Sequence, residues 1–273
     1  MKTLGIYQFI RNATKFDFPL EESILSAIPV ADQIVICECY SDDDTFDRVM
    51  SLKEKFPRKI TVIQHEWMKH HTDLAHIGNF CIPHLSTDWH FQLQADEVIH
   101  EKDYDTILHL INNCHNDYTA IRVQYNHFLG NYETTWPFCY TKAIRIARKG
   151  SGWWLSGDAC QLDGGDERKI LDCGVTLFHY GKVKNPEAGF AKETDFQSYY
   201  KDLGFPDPKL EEMKKTIGEE VDYVYLFESA IEEGKIKKFI DTHPKVMESR
   251  IKEFKDKGYE QFVSKVKEGL KTL

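Results

Sequence analysis

The N-terminal part of this chain predicts an α/β fold, a mostly parallel sheet flanked by helices. Three observations carry that expectation. Short β-favouring runs recur at 3–10, 32–40, 59–67 and 89–95, amphipathic segments of helical period lie between them, and acidic clusters follow the second and fourth runs. A strand that alternates with a helix cannot pair antiparallel through a tight turn, so the rhythm implies βαβ crossovers and helices on both faces. In such sheets ligands gather at the carboxyl ends of the strands.

The elements follow in order. "TLGIYQFI" (3–10) is apolar and β-favouring, and "PLEESILSAIP" after it carries Leu20, Ile24 and Ile28 on one helical stripe with Pro19 near its start. "DQIVICECY" (32–40) reads as a buried strand, "TFDRVMSLKEKFP" (45–57) as an amphipathic helix and "KITVIQHEW" (59–67) as a third strand. "DLAHIGNFCIPHL" (73–85) is a further helix with Pro83 near its end, and "WHFQLQA" (89–95) is the fourth strand. Between about 118 and 185 the pattern changes to strand-like pieces separated by Gly- and aromatic-rich turns, an antiparallel addition or a set of site-forming loops. Paired Trp153 and Trp154 lie there and read as core or interface before sugar stacking. From 186 the chain becomes Lys/Glu-rich and helical. "HPKVMESRIKEFKDKG" places Met247, Ile251 and Phe254 on one stripe and stops at Gly258, and "EQFVSKVKEGL" repeats the spacing with Phe262, Val266 and Leu270. The expected division is a domain over 1–185 and a helical C-terminal extension over 186–273.

Composition bounds the function. The 273 residues are 41% hydrophobic and 29% charged, which suits a globular core. A net charge of -9 argues against nonspecific nucleic-acid binding, since phosphate neutralisation needs an excess of Lys and Arg. Seven cysteines, an odd number without a Cys-x-x-Cys pair, fit buried thiols in a reducing compartment better than disulfides or zinc. The N-terminus lacks signal-peptide character and no apolar run approaches a membrane span. A cytoplasmic protein is expected, with peripheral membrane association and self-association left open.

Four constellations bear chemistry. "CECYSDDDTFD" puts Glu38 inside the second strand and Asp42, Asp43 and Asp44 directly after it. A strand-end Asp also caps a following helix, because its carboxylate accepts backbone N–H groups. "QLQADEV" ends the fourth strand in Asp96 and Glu97. Hard divalent cations take one or two carboxylates plus substrate phosphates, and Asp96 is six or so residues from the next helix, beyond the reach of a cap. "LFHYGKV" offers His179 as an imidazole ligand, against the plainer reading of a structural histidine. Lys182, Lys184 and Lys192 behind it are able to neutralise a diphosphate or simply face solvent. "SGDACQLDGGDERK" supplies Asp158, Asp163, Asp166 and Glu167 as candidate bases, although Gly-flanked acids commonly form turns.

In their order and spacing these segments resemble glycosyltransferase family 2, a group with the GT-A (Rossmann-like) fold. "ICECYSDDDT" stands where that family has a pattern like "VDSGSTDGT", and "LQADE" where it has "LDADE". Arg11 and Asn12 are similar to its first-strand ending, "HEW" at 65–67 to its third, and Asn79 falls where one branch carries Asn. The likeness covers roughly 3–180. It implies a nucleoside-diphosphate sugar donor, with Arg11, Glu38, Asp43, Gln94, Asp96, Lys184 and Lys192 on the donor side. It implies Mn²⁺ or Mg²⁺ held by Asp96, His179 and Glu97, and Asp158 as the base in "GDA", with inversion at the anomeric carbon. The acceptor is left as a glycan, a lipid-linked sugar, a protein or a modified nucleic-acid base. The chain departs from the family pattern where Gln94 replaces the first Asp and Glu38 replaces an Asp; Gln bonds a ribose hydroxyl but brings no charge to a metal. A metal-dependent nucleotidyltransferase or phosphohydrolase, and a degenerate nucleotide-sugar-binding protein, are the competing readings.

Overall fold

Alternation within the first two strands decides which helix packs where. In β1 (Leu4–Ile10) the side chains of Leu4, Ile6 and Ile10 fall on one face and Tyr7 on the other; in β2 (Gln33–Glu38) Ile34 and Ile36 oppose Val35 and Cys37. The first face is covered by α1 (Leu20–Ala27), α2 (Thr45–Lys55) and α4 (Tyr104–Asn113) through Leu20, Ile24, Val49, Leu52, Ile107 and Ile111. The second is covered by α3 (Asp73–Cys81) through Ala75, Ile77 and Cys81. Cys37 and Cys39 therefore share the α3 side and are buried there as free thiols.

The computed structural model describes residues 1–137, 140–199 and 235–259. The expected helix over 260–270 and Cys139 lie outside the described residues. β3 (Ile60–Gln64), β2, β1 and β4 (Trp89–Gln92) are parallel neighbours in that order, the crossover arrangement the sequence predicts. Beyond β4 the sheet turns antiparallel. β8 (Lys142–Arg148) pairs with β4, and β6 (Ala120–Leu129) pairs with β8. β11 (Ile170–Lys182) runs parallel to β6 and antiparallel to β5 (Glu97–Ile99). The sheet is thus mixed, with its parallel wing at β4–β1–β2–β3. Outside it, β9 (Trp154–Leu155) and β10 (Leu162–Asp163) form a two-stranded hairpin. Trp153 beside it is buried, whereas Trp154 is exposed and lies over Gly164.

α3 ends at Cys81 and passes into a 3-10 turn over Ile82–His84 that contains Pro83, whose missing N–H cannot continue the helix. β4 stops at Gln92, short of the expected 95, because the chain turns there: Glu97 N–H donates to the Gln94 carbonyl at 3.0 Å. β5 is too short, at three residues, to show a strand pattern of its own.

The described part of the segment beyond 186 is built onto the same sheet. α5 (Pro186–Ser198) follows β11 directly, and β12 (Lys237–Lys238) pairs with β7 (Thr134–Thr135). α6 (Glu248–Asp256), with the 3-10 turn before it, places Met247 and Phe254 in an aromatic cluster with Val98, Phe128, Tyr132, Phe178 and Tyr180, and Ile251 packs against it. Gly258, at φ +68°, ends α6 in the left-handed conformation that glycine adopts without strain.

Candidate active site

The acidic turn after β4 is held on three sides. α1 supplies two buried serines: Ser23 Oγ donates to the Gln94 carbonyl at 3.1 Å, and Ser26 Oγ accepts from Ile99 N–H at 3.0 Å. β11 supplies Tyr180 N–H, which donates to the Asp96 carbonyl at 2.8 Å. From inside, Glu97 accepts the Gln94 N–H at 2.8 Å. Pairing of β5 with β11 sets His179 opposite Glu97 in register, and this brings its ring beside Asp96 although 83 positions separate 96 from 179. His179 Nε2 lies 3.5 Å from Asp96 Oδ2.

Burial pushes the Asp96 carboxyl up, but the facing His179, then Lys192 and Lys184, outweigh it and hold the group well below the usual carboxylate range. Gly181 leaves a gap next to this pair. A Cβ at that position would stand 2.5 Å from Asp96 Oδ2 and 2.7 Å from His179 Nε2, so only glycine leaves both atoms open. Among the described residues no group of three or more His, Cys, Asp or Glu forms a metal-holding arrangement. Asp96 and His179 offer one carboxylate and one imidazole, a set that fits Mn²⁺ or Mg²⁺ when a phosphorylated ligand supplies further oxygens.

A cavity of about 300 Å³ opens over the pair. Arg11, Gln94, Asp96, Asp158, His179 and Lys192 all line it, with Lys182 beside them. Aromatic rings, among them Phe9, Phe16, Trp67, Trp136 and Tyr140, make up much of the remaining wall. The cations are themselves anchored: Lys182 is paired with Glu193 of α5, and Lys192 Nζ donates to the Gly181 carbonyl at 3.4 Å. Asp158 is an exposed residue, its Oδ1 accepting from Cys160 N–H at 3.3 Å. Its neighbour Ala159 has φ +60°, and the Ala159 carbonyl accepts from Gln92 Nε2 at 3.1 Å, Gln94 Nε2 at 3.2 Å and Arg145 Nη1 at 3.3 Å. Three donors on one carbonyl fix the loop that carries Asp158 across from Asp96.

Four expected site residues fall outside the cavity wall, each for a physical reason. Glu97, expected as a metal ligand, is fully buried in an ion pair with Arg145 Nη2 at 2.6 Å and also accepts from Tyr125 OH at 2.7 Å. With the Gln94 N–H these make three donors on its carboxylate, and it braces the turn instead of facing the cavity. Glu38, expected at the nucleoside, turns back on its own strand end. It accepts from Ser41 N–H at 2.7 Å, Tyr40 N–H at 3.2 Å and Gln64 Nε2 at 3.0 Å. Asp43 accepts from Lys15 N–H at 2.8 Å and Thr45 N–H at 3.0 Å, tying the loop after β1 to the start of α2. Burial raises the Asp43 carboxyl, and these bonds, led by the Thr45 side chain, more than offset it. Lys184, expected at the diphosphate, is buried with Nζ donating to the Phe16 carbonyl at 2.7 Å and lying 4.0 Å from the centre of the Phe18 ring.

Sequence reasoning missed His127 and Arg145. His127 continues the buried alternation of Val123 and Tyr125 along β6, and Arg145 sits in the middle of an otherwise buried strand. A charge at such a position signals a buried partner, yet nothing in the sequence says which.

No family model matches the chain, and no curated protein matches it either. Among solved structures it is similar to Staphylococcus aureus TarS 1-349, at 14% identity and TM-score 0.44 over 86% of this chain and 80% of that one. It is also similar to the mannosyltransferase PcManGT from Pyrobaculum calidifontis, in complex with GDP-Man and Mn²⁺, at 9% identity and TM-score 0.46 over 98% and 84%. Glucosyl-3-phosphoglycerate synthase from Mycobacterium tuberculosis, with Mn²⁺, UDP and glucosyl-3-phosphoglycerate, matches at 12% identity and TM-score 0.44 over 76% and 82%. With TM-scores below 0.5 these likenesses carry no weight here, and the architecture rests on the strand order and registers of the chain itself.

Proposed function

We propose that the chain is a glycosyltransferase that moves a sugar from a nucleoside-diphosphate sugar to an acceptor hydroxyl. The observation that supports this most is the meeting, in one cavity at the strand ends, of the Asp96–His179 pair, the cations Arg11, Lys182 and Lys192, and Asp158 on the opposing loop. The ordered motif resemblance supports the same reading.

Asp96 and His179 are the residues that would hold Mn²⁺ or Mg²⁺. Such an ion, when bound, screens the charge that develops on the diphosphate. Lys182 and Lys192 line the same wall and provide positive charge for that leaving group, a role backed by their anchoring in place before substrate arrives. Gln94 faces the cavity as a neutral donor and acceptor suited to a sugar or ribose hydroxyl. Asp158 takes the proton from the acceptor hydroxyl. The freed oxygen attacks the anomeric carbon from the face opposite the diphosphate, the carbon–oxygen bond to phosphate breaks, and the nucleoside diphosphate leaves with the electron pair. One displacement of this kind inverts the anomeric centre. Arg11 is assigned to the donor, and Glu38 and Asp43 to the shape of the loops that border it.

Product analysis tests the reaction class. Incubation with a panel of nucleotide sugars is expected to release a nucleoside diphosphate, and to release it more slowly from Asp158→Asn. Release of an intact sugar phosphate with a nucleoside monophosphate would assign the chain to a phosphohydrolase or nucleotidyltransferase class.

A further inference from the structure

The hydrogen bonds around His127 place a hydrogen on one nitrogen of a ring other than its own. β6 and β11 run in parallel register, with His127 opposite His179. His127 Nε2 lies 2.9 Å from the Tyr140 carbonyl, an acceptor only, so Nε2 carries the hydrogen. In the neutral ring Nδ1 is then a lone pair. His127 Nδ1 lies 3.0 Å from His179 Nδ1, and a contact of that length between two nitrogens needs one hydrogen between them. His127 has none to give, so His179 Nδ1 is the donor. The opposite tautomer of His179 would set two lone pairs against each other. His127 is itself clamped, stacked on Tyr125 at 4.9 Å between ring centres and 9° between planes, and edge-on to Tyr140.

With one hydrogen fixed on Nδ1, Nε2 is the nitrogen of His179 that carries the lone pair whenever the ring is neutral. It points at Asp96 Oδ2, 3.5 Å away, and borders the gap that Gly181 leaves. The place between Nε2 and the carboxylate is filled by a proton or by a metal ion that takes that proton's position.

We propose that His127 is a positioning residue which, by accepting from His179 Nδ1–H, fixes the tautomer that presents the His179 Nε2 lone pair to a divalent cation shared with Asp96. This inference rests on the cation reading given under Proposed function and adds to it a third residue of the cavity wall, one that acts on the cation through His179. Orientation of a ligating imidazole through its other nitrogen is a general device in metal sites, and loss of such a partner commonly weakens metal binding by about 10–100-fold.

Two measurements test it, and neither needs turnover. Long-range ¹H–¹⁵N spectra of the full chain in alkaline, metal-free buffer are expected to show His179 as the Nδ1–H tautomer. Titration with Mn²⁺, followed by the loss of the free-ion paramagnetic resonance signal, is expected to show affinity about 10–100-fold weaker in His127→Phe. His127→Asn, whose side-chain oxygen can take the place of Nδ1 as acceptor, is expected to recover most of that affinity. An Nε2–H tautomer in the wild type overturns the proposal, and so does a folded His127→Phe that binds Mn²⁺ like the wild type. If His127→Phe does not fold, the wild-type tautomer decides. Wild-type protein that binds no Mn²⁺, either alone or with a nucleoside diphosphate present, overturns the cation reading and this inference with it, whereas binding that His127→Phe leaves unchanged in both conditions overturns this inference alone.

Discussion

Arg145→Met removes the cation at the centre of the polar network under the acidic turn. The guanidinium is fully buried and bonds Glu97 Oε1 at 2.6 Å, the Ala159 carbonyl at 3.3 Å, and both Tyr125 OH and Gln92 Oε1. Burial pushes its pKa down, and the facing Glu97 more than reverses that, keeping the side chain charged. Methionine fills a similar volume but leaves the Glu97 carboxylate buried beside Tyr125 and the Gln94 N–H. Loss of one partner of a buried pair costs about 3–5 kcal/mol. At about 2–4 °C per kcal/mol for a chain of this size, Tm falls by about 6–20 °C. Urea unfolding followed by circular dichroism measures the difference directly. Glu97→Gln in the same chain removes the stranded charge while keeping an acceptor for Tyr125, so the double variant recovers about 0.5–3 kcal/mol relative to the sum of the single changes. A loss under about 1 kcal/mol in Arg145→Met, or strict additivity of the two substitutions, would refute the reasoning that this pair braces the turn.

Three other outcomes are expected. Gly181→Ala places a methyl against Asp96 and His179 and weakens Mn²⁺ binding at least about tenfold by calorimetry, roughly 1.4 kcal/mol, with the circular dichroism spectrum unchanged. Asp158→Asn lowers turnover by about 10²–10⁴, the usual worth of a general base, and leaves donor affinity within about twofold. His90 provides a pH test away from the site. Burial, and then Lys149, depress its pKa to about 4, and its Nδ1 has no partner among the described residues. The unfolded ring protonates near about 6.5, so the unfolded chain binds more protons between those values. Stability is therefore fully present above the unfolded pKa and is lost as pH falls toward the folded one, by about 3 kcal/mol for this group. Urea midpoints of His90→Phe from pH 7 to 4.5 should fall less than those of the wild type; equal slopes would contradict the assignment.

Much of the fold was legible because period-2 and period-3.6 patterns are local. Leu4, Ile6 and Ile10 on one face of β1, and Leu20 and Ile24 on one face of α1, encode their packing within a few residues. The place of Asp96 in the cavity wall was legible for a different reason: it follows a buried strand closely and lies too far from the next helix to cap it. Glu97 was misread because adjacent carboxylates look alike in sequence, while the turn sends one to the cavity and the other to Arg145, 48 positions on. Lys184 was misread because a lysine that faces solvent or a diphosphate looks the same in sequence as one whose Nζ donates to the Phe16 and Asp17 carbonyls of the loop after β1. His127, Arg145 and the antiparallel β5 depend on pairings between distant strands, which no local pattern specifies.

Thermal stability with and without Mn²⁺ across a panel of nucleotide sugars, on wild type and Asp96→Ala side by side, tests the central claim most directly. At a ligand concentration of about 100 Kd, binding adds about 2.7 kcal/mol, or roughly 5–11 °C in Tm. At least one nucleotide sugar is predicted to give such a rise in the wild type only with Mn²⁺ present, and to give none in Asp96→Ala. A panel that leaves the wild type unmoved, or a rise of the same size in Asp96→Ala, would contradict the account.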